Sequence, residues 1–286
     1  MSLTVNIIGA GHLGKSISHL LLKNQLVHIG AVFNSTLGSS KEAIKFIGGG
    51  TSYSAMEQLP AADLTFITTP DDLIAPIAIQ LAENQFIGPN TTVVHCSGSL
   101  SSEILNPIKE KGAWVASIHP MRSFANPDIS VEQYKGTYCA MEGDIQALSL
   151  IKPLFEAIGS ITYQINKDKK SLYHAAGVFA SNYMVTLAQQ AFLCLQESGV
   201  AKDMAMSIIT TLMQGTLVNL KDTLSPEQAL TGPIKRGDIA TLEKHMAAFT
   251  HSKAQTLYSL LGKACLELTT HDANKKEKLS AALVQR

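Results

Sequence analysis

Residues 5–14 read Val5-Asn6-Ile7-Ile8-Gly9-Ala10-Gly11-His12-Leu13-Gly14, and the reading of this stretch decides the fold. A short apolar run enters Gly-x-Gly-x-x-Gly, and an apolar-periodic stretch over residues 13–22 leaves it, so a strand turns directly into a helix. Gly9 permits the tight turn, Gly11 lets a pyrophosphate approach the backbone, and Gly14 lets helix and strand pack closely. The helix start adds free N–H groups and a positive dipole end, which suit phosphate oxygens. Gly9, Ala10, Gly11, His12, Leu13 and Gly14 are therefore read as a dinucleotide site, although the pattern taken alone also fits a glycine-rich turn that holds no ligand. A second cluster, Gly48-Gly49-Gly50, leads into a short Thr-Ser-Tyr segment rather than a helix and reads as a loop.

Outward from this turn, β-rich runs at residues 4–8, 27–33, 64–68, 92–95, 114–118, 137–141 and 161–165 alternate with segments of helical period. Strands spaced by helices imply right-handed crossovers and a mainly parallel sheet, an α/β Rossmann domain. From Asp168 onward the chain is rich in Ala, Leu, Met, Gln and Lys and shows no convincing strand, so an all-helical second domain is expected. The polar stretch at 166–170 sets the expected domains at 1–166 and 167–286. The 286 residues are 45% hydrophobic and 16% charged with no net charge, which gives no electrostatic footprint for nucleic acid or an anionic membrane. No basic segment precedes the first apolar run and no apolar run looks long enough to span a bilayer, so neither a signal peptide nor a membrane partner is expected. Cys96, Cys139, Cys194 and Cys265 lie far apart, as unpaired thiols of a cytoplasmic protein do.

Cofactor choice is read just past the second strand, where a carboxylate accepts hydrogen bonds from the ribose 2′-hydroxyl of NAD. Asn34, Ser35 and Thr36 stand there instead, no Asp or Glu occurs before Glu42, and Lys41 is near. Amide, hydroxyl and ammonium donors suit a 2′-phosphate, so NADP is favoured over NAD.

Ligands of open α/β sheets bind beyond the carboxyl ends of the strands. Three such ends carry polar clusters: Thr68-Thr69-Pro70-Asp71-Asp72, His95-Cys96-Ser97-Gly98-Ser99 and Ser117-Ile118-His119-Pro120-Met121-Arg122. Thr69, Pro70 and Ser97 are assigned to the cofactor and His119 to the chemistry, with helix capping by Asp71 and Ser97 as the plainer alternative. His95, Cys96 and His119 lack the spacing of a metal site, and no metal is expected. In the second half, Lys170, His174, Gly177 and Ser181 recur at four, three and four residues, one narrow stripe on a helix, with Asn182 at its edge. A solvated face is the bland reading of that stripe. Residues 231–238, Thr231-Gly232-Pro233-Ile234-Lys235-Arg236-Gly237-Asp238, read as a charged connector whose Asp238 caps the next helix.

The glycine turn, Thr69-Pro70-Asp71-Asp72, His95-x-Ser97-Gly98, His119-Pro120, His174-Ala-Ala-x-x-x-Ser181-Asn182 and Gly232-Pro233-x-x-Arg236-Gly237-Asp238 together resemble the Rossmann-like proteins carrying domain of unknown function 2520. That family is similar in architecture to pyrroline-carboxylate reductase, ketopantoate reductase and 6-phosphogluconate dehydrogenase-like enzymes. The resemblance implies a C-terminal helical domain of the 6-phosphogluconate dehydrogenase type, a homodimer formed through it, and a small-molecule substrate in the cleft between domains. Members are labelled NADP oxidoreductases, including the deazaflavin-dependent type; this chain has Asn34-Ser35 where relatives often have Arg. The expected chemistry is hydride transfer between the nicotinamide and a small carbonyl, imine or hydroxy acid. His174 is the first choice of acid or base and Lys170 the second, with Ser181 and Asn182 orienting the substrate oxygen and Arg236, with Arg122, pairing a substrate anion. A nonenzymatic NADP sensor and a prephenate-type dehydrogenase with His119 as base are the alternatives.

Overall fold

The apolar runs of the first half pair into one sheet, because the central ones, Leu64–Ile67 and Thr92–His95, are buried throughout and satisfy their backbones only through neighbouring strands. In this computed structural model, which describes residues 3–284, the strands are β1 (Leu3–Ile8), β2 (Val27–Phe33), β3 (Thr51–Ser52), β4 (Leu64–Ile67), β5 (Thr92–His95), β6 (Trp114–Pro120), β7 (Tyr138–Gly143) and β8 (Ile161–Gln164). Their order is β3-β2-β1-β4-β5-β6-β7-β8, and every pair is parallel except β6 with β7. Helices α1 (His12–Lys23), α2 (Leu37–Ile47), α3 (Asp71–Ala82), α4 (Asn106–Lys109), α5 (Pro127–Glu132), α6 (Ile145–Ala157) and α7 (Lys170–Gly177) punctuate the strands. Ile17 and Leu21 of α1, Ala43 and Ile47 of α2, and Ile151 and Phe155 of α6 cover one face of the sheet. Ile74, Ala78 and Leu81 of α3 and Ile108 of α4 cover the other.

Strands β3, β6 and β7 differ from the sequence reading. The Gly48–Gly50 cluster is a helix end, with Gly48 left-handed at the C-terminus of α2, and it delivers the chain into β3, whose two residues are too short to show a period. The β6–β7 pair extends to Pro120 and Gly143, beyond the expected ends, because antiparallel pairing from Ala116–Gly143 to Pro120–Cys139 keeps both backbones satisfied.

The first compact unit comprises residues 1–182 and the second 183–286, so α7 is grouped with the sheet, past the boundary drawn from the sequence. The second unit contains α8 (Tyr183–Glu197), α9 (Lys202–Lys221), α10 (Pro226–Ala229), α11 (Gly232–Arg236), α12 (Ile239–Ala248), α13 (Ser252–Glu267) and α14 (Ala273–Ala282), and no strand among the described residues. Leu242, Leu266, Leu279 and Leu283 form its core, whereas α8 buries no residue and α9 only Ala205 and Ile209. Within the expected connector, Gly232–Arg236 form helix α11; left-handed Gly237 ends it, and the Asp238 carboxylate caps α12 by accepting from Thr241 N at 3.1 Å. The helical segment Lys167–Glu197 is long and apolar enough to cross a membrane by length and composition alone, which corrects the expectation that no such run exists: its polar residues are spread too thinly to lower the average.

β1 carries a buried polar residue for a structural reason. Between Val5 and Ile7 the register with β2 slips by one residue, a bulge that removes Ala31 N–H from the ladder. Asn6 Oδ1 accepts from that N–H at 2.9 Å, and Asn6 Nδ2 donates to Pro60 O at 2.8 Å. Gly30 is required beside it, since a Cβ there would lie 2.9 Å from Asn6 Oδ1. Replacing Asn6 by Leu strands Ala31 N–H and Pro60 O, so we predict a loss of about 1–3 kcal/mol in urea unfolding with an unchanged m-value.

Candidate functional site

The sheet changes direction between β1 and β4, the switch point at which an open α/β sheet leaves a crevice above its strand ends. A groove of about 330 Å³ lies there, lined by Gly9 to Gly11 after β1, Asn34 and Ser35 after β2, and Thr68 to Pro70 after β4. Steric constraints differ among the three glycines. Gly9 has φ +87°, and a Cβ on it would strike Thr69; a Cβ on Gly14 would strike the Thr68 hydroxyl. At Gly11 the nearest such contact is 4.0 Å away, so the missing side chain there serves something outside the fold. Thr68 Oγ1 donates to Gly9 O at 2.8 Å and Asn34 Oδ1 accepts from Ala10 N at 2.6 Å, which ties the turn to the ends of β4 and β2. No side chain caps α1, leaving its first N–H groups to an anion. Thr69 Oγ1 is buried without a hydrogen-bond partner at the groove. The open side of Gly11 and this orphaned hydroxyl fit a dinucleotide.

His12 and Leu13 contribute backbone at the start of α1; the His12 ring bonds Phe124 O at 2.8 Å through Nδ1, and Leu13 packs on the core. Thr36, expected to face the ribose, caps α2 instead by accepting from Ser39 N at 3.1 Å. Lys15 and Ser39 line the groove and were missed, Lys15 because only the helical period, one turn past Gly11, places it there. Glu42 also lines it, so the first carboxylate past the glycine turn does reach the groove, and Lys41 is not among its lining residues.

A second cluster lies on β6, β7, β8 and α7. Residues opposite one another on neighbouring strands project to the same face. Ser117 and Glu142 form one rung; His119, Ala140 and Tyr163 form the next but one. α7 lies on these rungs through Lys170, Tyr173 and His174, its i, i+3, i+4 positions. Lys170 Nζ donates to Ser117 Oγ, to Ser97 O at 3.0 Å and to Glu142 Oε1 at 3.4 Å, and the lysine is only 2% exposed. Glu142 accepts in turn from Ser102 N and Oγ at 2.8 and 2.7 Å. Burial holds the ammonium below its usual pKa, and Glu142 opposes that shift. Lys170 is thus a clamp between strand, loop and helix.

His119 Nδ1 lies 2.9 Å from Tyr173 Oη, and its ring meets that of His174 edge-on with centroids 5.7 Å apart. Both imidazoles close on Gly98: a Cβ there would lie 2.5 Å from His174 Nδ1 and 2.8 Å from His119 Nε2. His95 uses both ring nitrogens internally, accepting from Ser97 N at 3.1 Å and donating to Ser101 O at 3.2 Å. Ser97 Oγ accepts from Ser99 N and Leu100 N, so it orders the loop that Gly98 belongs to. Ser99 donates to Asp71 at 2.6 Å. Arg122, expected near a substrate anion, spends its guanidinium on Gln133.

Helix α7 does not continue regularly. Residues Val178–Asn182 form a π turn, which inserts a residue into the helical period and breaks the expected stripe after Gly177. Ser181 and Asn182 are exposed on this turn. Arg236 stands in the last turn of α11, in the second unit. Among the described residues no three His, Cys, Asp or Glu side chains are grouped so that they could hold a metal ion.

Burial pushes His119 down to about 4, with His174 and Lys170 adding to it, and pushes His95 down to about 3. Both rings take up a proton on unfolding at any pH between those values and the ordinary 6.5, so stability falls as the pH falls from 6.5 towards 4. We predict that side-chain nitrogen NMR finds His119 neutral at a pH of about 5.5. A charged His119 at that pH would contradict the arrangement.

Residues 1–120 match the Rossmann-like domain and residues 137–265 match domain of unknown function 2520. No curated protein matches the chain. Among solved structures, protein TM1727 from Thermotoga maritima is similar at 29% identity and TM-score 0.73, over 92% of this chain and 97% of that one. BF3122 from Bacteroides fragilis, named as an NADP oxidoreductase, is similar at 20% identity and TM-score 0.75, over 93% and 98%. The reductive aminase from Aspergillus terreus, in complex with NADPH and ethyl levulinate, shares the fold at 16% identity and TM-score 0.65, over 98% and 99%. The chain is therefore similar to Rossmann-like domains over residues 1–120 and to domain of unknown function 2520 over residues 137–265.

Proposed function

We propose that this protein is an oxidoreductase that uses a nicotinamide dinucleotide, NADP in preference to NAD, to interconvert a small carbonyl or imine compound with its alcohol or amine. The observation that carries this reading is the glycine turn, closed to side chains at Gly9 and Gly14 and open at Gly11, at the head of the groove over β1, β2 and β4. Gly9 to Gly11 and the start of α1 would hold the pyrophosphate. Asn34, Ser35, Ser39 and Lys15 supply amide, hydroxyl and ammonium donors for a 2′-phosphate, and Lys15 offsets the charge of Glu42. The names of BF3122 and the NADPH-bound aminase support the same choice.

When bound, the cofactor supplies or accepts the hydride. The protein's part is to hold the reacting atom and move a proton. His119 Nε2 and His174 Nδ1 flank Gly98 and are the groups placed to do so, with Ser181 and Asn182 on the π turn as orienting donors. This assignment uses residues of the first unit alone and leaves Arg236 aside. A second reading, oxidation of a hydroxy acid with His119 as base, is favoured by the neutrality of that imidazole. Apolar residues bared on α8 and α9, among them Val185, Leu212 and Val218, support pairing with a second copy.

The test is titration with NADPH and NADH, followed by nicotinamide fluorescence. The expected outcome is that NADPH binds at least tenfold more tightly, and that Lys15→Ala weakens NADPH about tenfold while changing NADH less than about threefold. Light scattering on the same sample is expected to give twice the 30.7 kDa chain mass. Equal affinity for the two nucleotides removes the NADP assignment, and binding of neither removes the function.

A further inference from the structure

His119 has an unusual neighbourhood for a proton-transfer group. Its imidazole is disfavoured as a cation by burial and by His174 and Lys170 on α7, with Asp71 on α3 the one opposing charge. A histidine that resists protonation is a poor reservoir for an acid step. The surrounding hydroxyls offer another route. On the rung His119–Ala140–Tyr163 the middle residue is only a methyl group, and Tyr173 of α7 bridges the two outer ones. Its ring meets His119 at 5.6 Å and 88° and Tyr163 at 6.4 Å and 68°, its hydroxyl lies 2.9 Å from His119 Nδ1, and burial together with the neighbouring Tyr163 hydroxyl raises its pKa. Tyr163 in turn packs on Tyr138, which is 56% exposed.

Resting on the oxidoreductase reading, we propose that Tyr163, Tyr173 and His119 form a proton relay in which Tyr173 is a positioning residue that sets the tautomer of His119. In one orientation of the chain Tyr163 donates to Tyr173, Tyr173 donates to His119 Nδ1, and His119 keeps its proton on Nε2, the nitrogen beside Gly98. As Nε2 gives that proton to the oxygen or nitrogen of the substrate, Nδ1 takes the Tyr173 proton, Tyr173 takes that of Tyr163, and Tyr163 takes one from water. One proton leaves the solvent and one reaches the substrate, while the nicotinamide provides both electrons as hydride. Run backwards, with the hydroxyls reversed, Nε2 starts bare and acts as a base towards an alcohol. His119 carries no charge at any stage, which reconciles its neutrality with proton transfer in both directions.

The test uses full-length protein with nitrogen-15-labelled histidine, without ligand, at neutral pH, and reads the two nitrogen shifts of His119 as a tautomer ratio. Tyr173→Phe keeps the ring and removes the hydroxyl, and the ratio is expected to change about fivefold, the worth of one hydrogen bond. Tyr163→Phe leaves Tyr173 in place and is expected to move the ratio in its turn. If Tyr173→Phe leaves the ratio unchanged, Tyr173 does not set the tautomer; if Tyr163→Phe does, the relay beyond Tyr173 is wrong. Should Tyr173→Phe fail to fold, Tyr163→Phe alone decides. NADPH binding measured on the same samples separates the two claims: a shifted ratio without NADPH binding overturns the oxidoreductase reading and not the hydroxyl chain, and an unshifted ratio with NADPH bound does the reverse.

Discussion

At Gly9 and Gly14 the fold has no room for a side chain, and the groove depends on that constraint. The turn closes against Thr68 and Thr69 at the end of β4, and Asn34 pins it from the end of β2. Three strand ends are thereby drawn to one point, and α1 begins there with its N–H groups uncapped. The bulge in β2 and the buried Asn6 belong to the same solution, since they fix the register of the strand that delivers the turn. Close packing at two glycines is what leaves the third free for a ligand.

The histidine cluster depends on a different interaction, the buried pair of Lys170 and Glu142. Taking two charges out of water is costly, and the pair adds less net stability than its short contacts suggest. Removing one partner alone costs about 3–5 kcal/mol, because the other charge stays buried. The pair fixes geometry: through Ser117, the Ser97 carbonyl and Ser102 it joins β6, the Gly98 loop and the helix that carries Tyr173 and His174. The two imidazoles can then meet over Gly98, where a larger residue would push them apart.

Local patterns made the fold legible. Gly9-x-Gly11-x-x-Gly14 flanked by an apolar run and a helical period specifies strand, turn and helix from neighbours in sequence, and the structure follows it closely. Thr36 was misread because hydroxyls that donate to a phosphate also cap helices, and Ser39 stands where the cap is completed. Lys15 and Glu42 reach the groove by helical geometry rather than by proximity to a strand end. The stripe of Lys170, His174 and Gly177 was correctly placed on a helix, but its period alone could not reveal that Lys170 is paired to a carboxylate on β7 or that a π turn ends the regular spacing. Tyr173 was invisible because its meaning lies in the register of β6, β7 and β8, which no single stretch of sequence encodes.

The central claim, that the open side of Gly11 faces a nicotinamide dinucleotide, is tested most directly by calorimetric titration of NADPH into the wild-type protein and Gly11→Val. A Cβ at Gly11 comes no nearer than 4.0 Å to Gly9 O, so the variant should keep its melting temperature to within about 2 °C and lose at least tenfold in affinity. A variant that folds and binds NADPH as tightly as the wild type would contradict the account, because the nucleotide would then have to lie elsewhere.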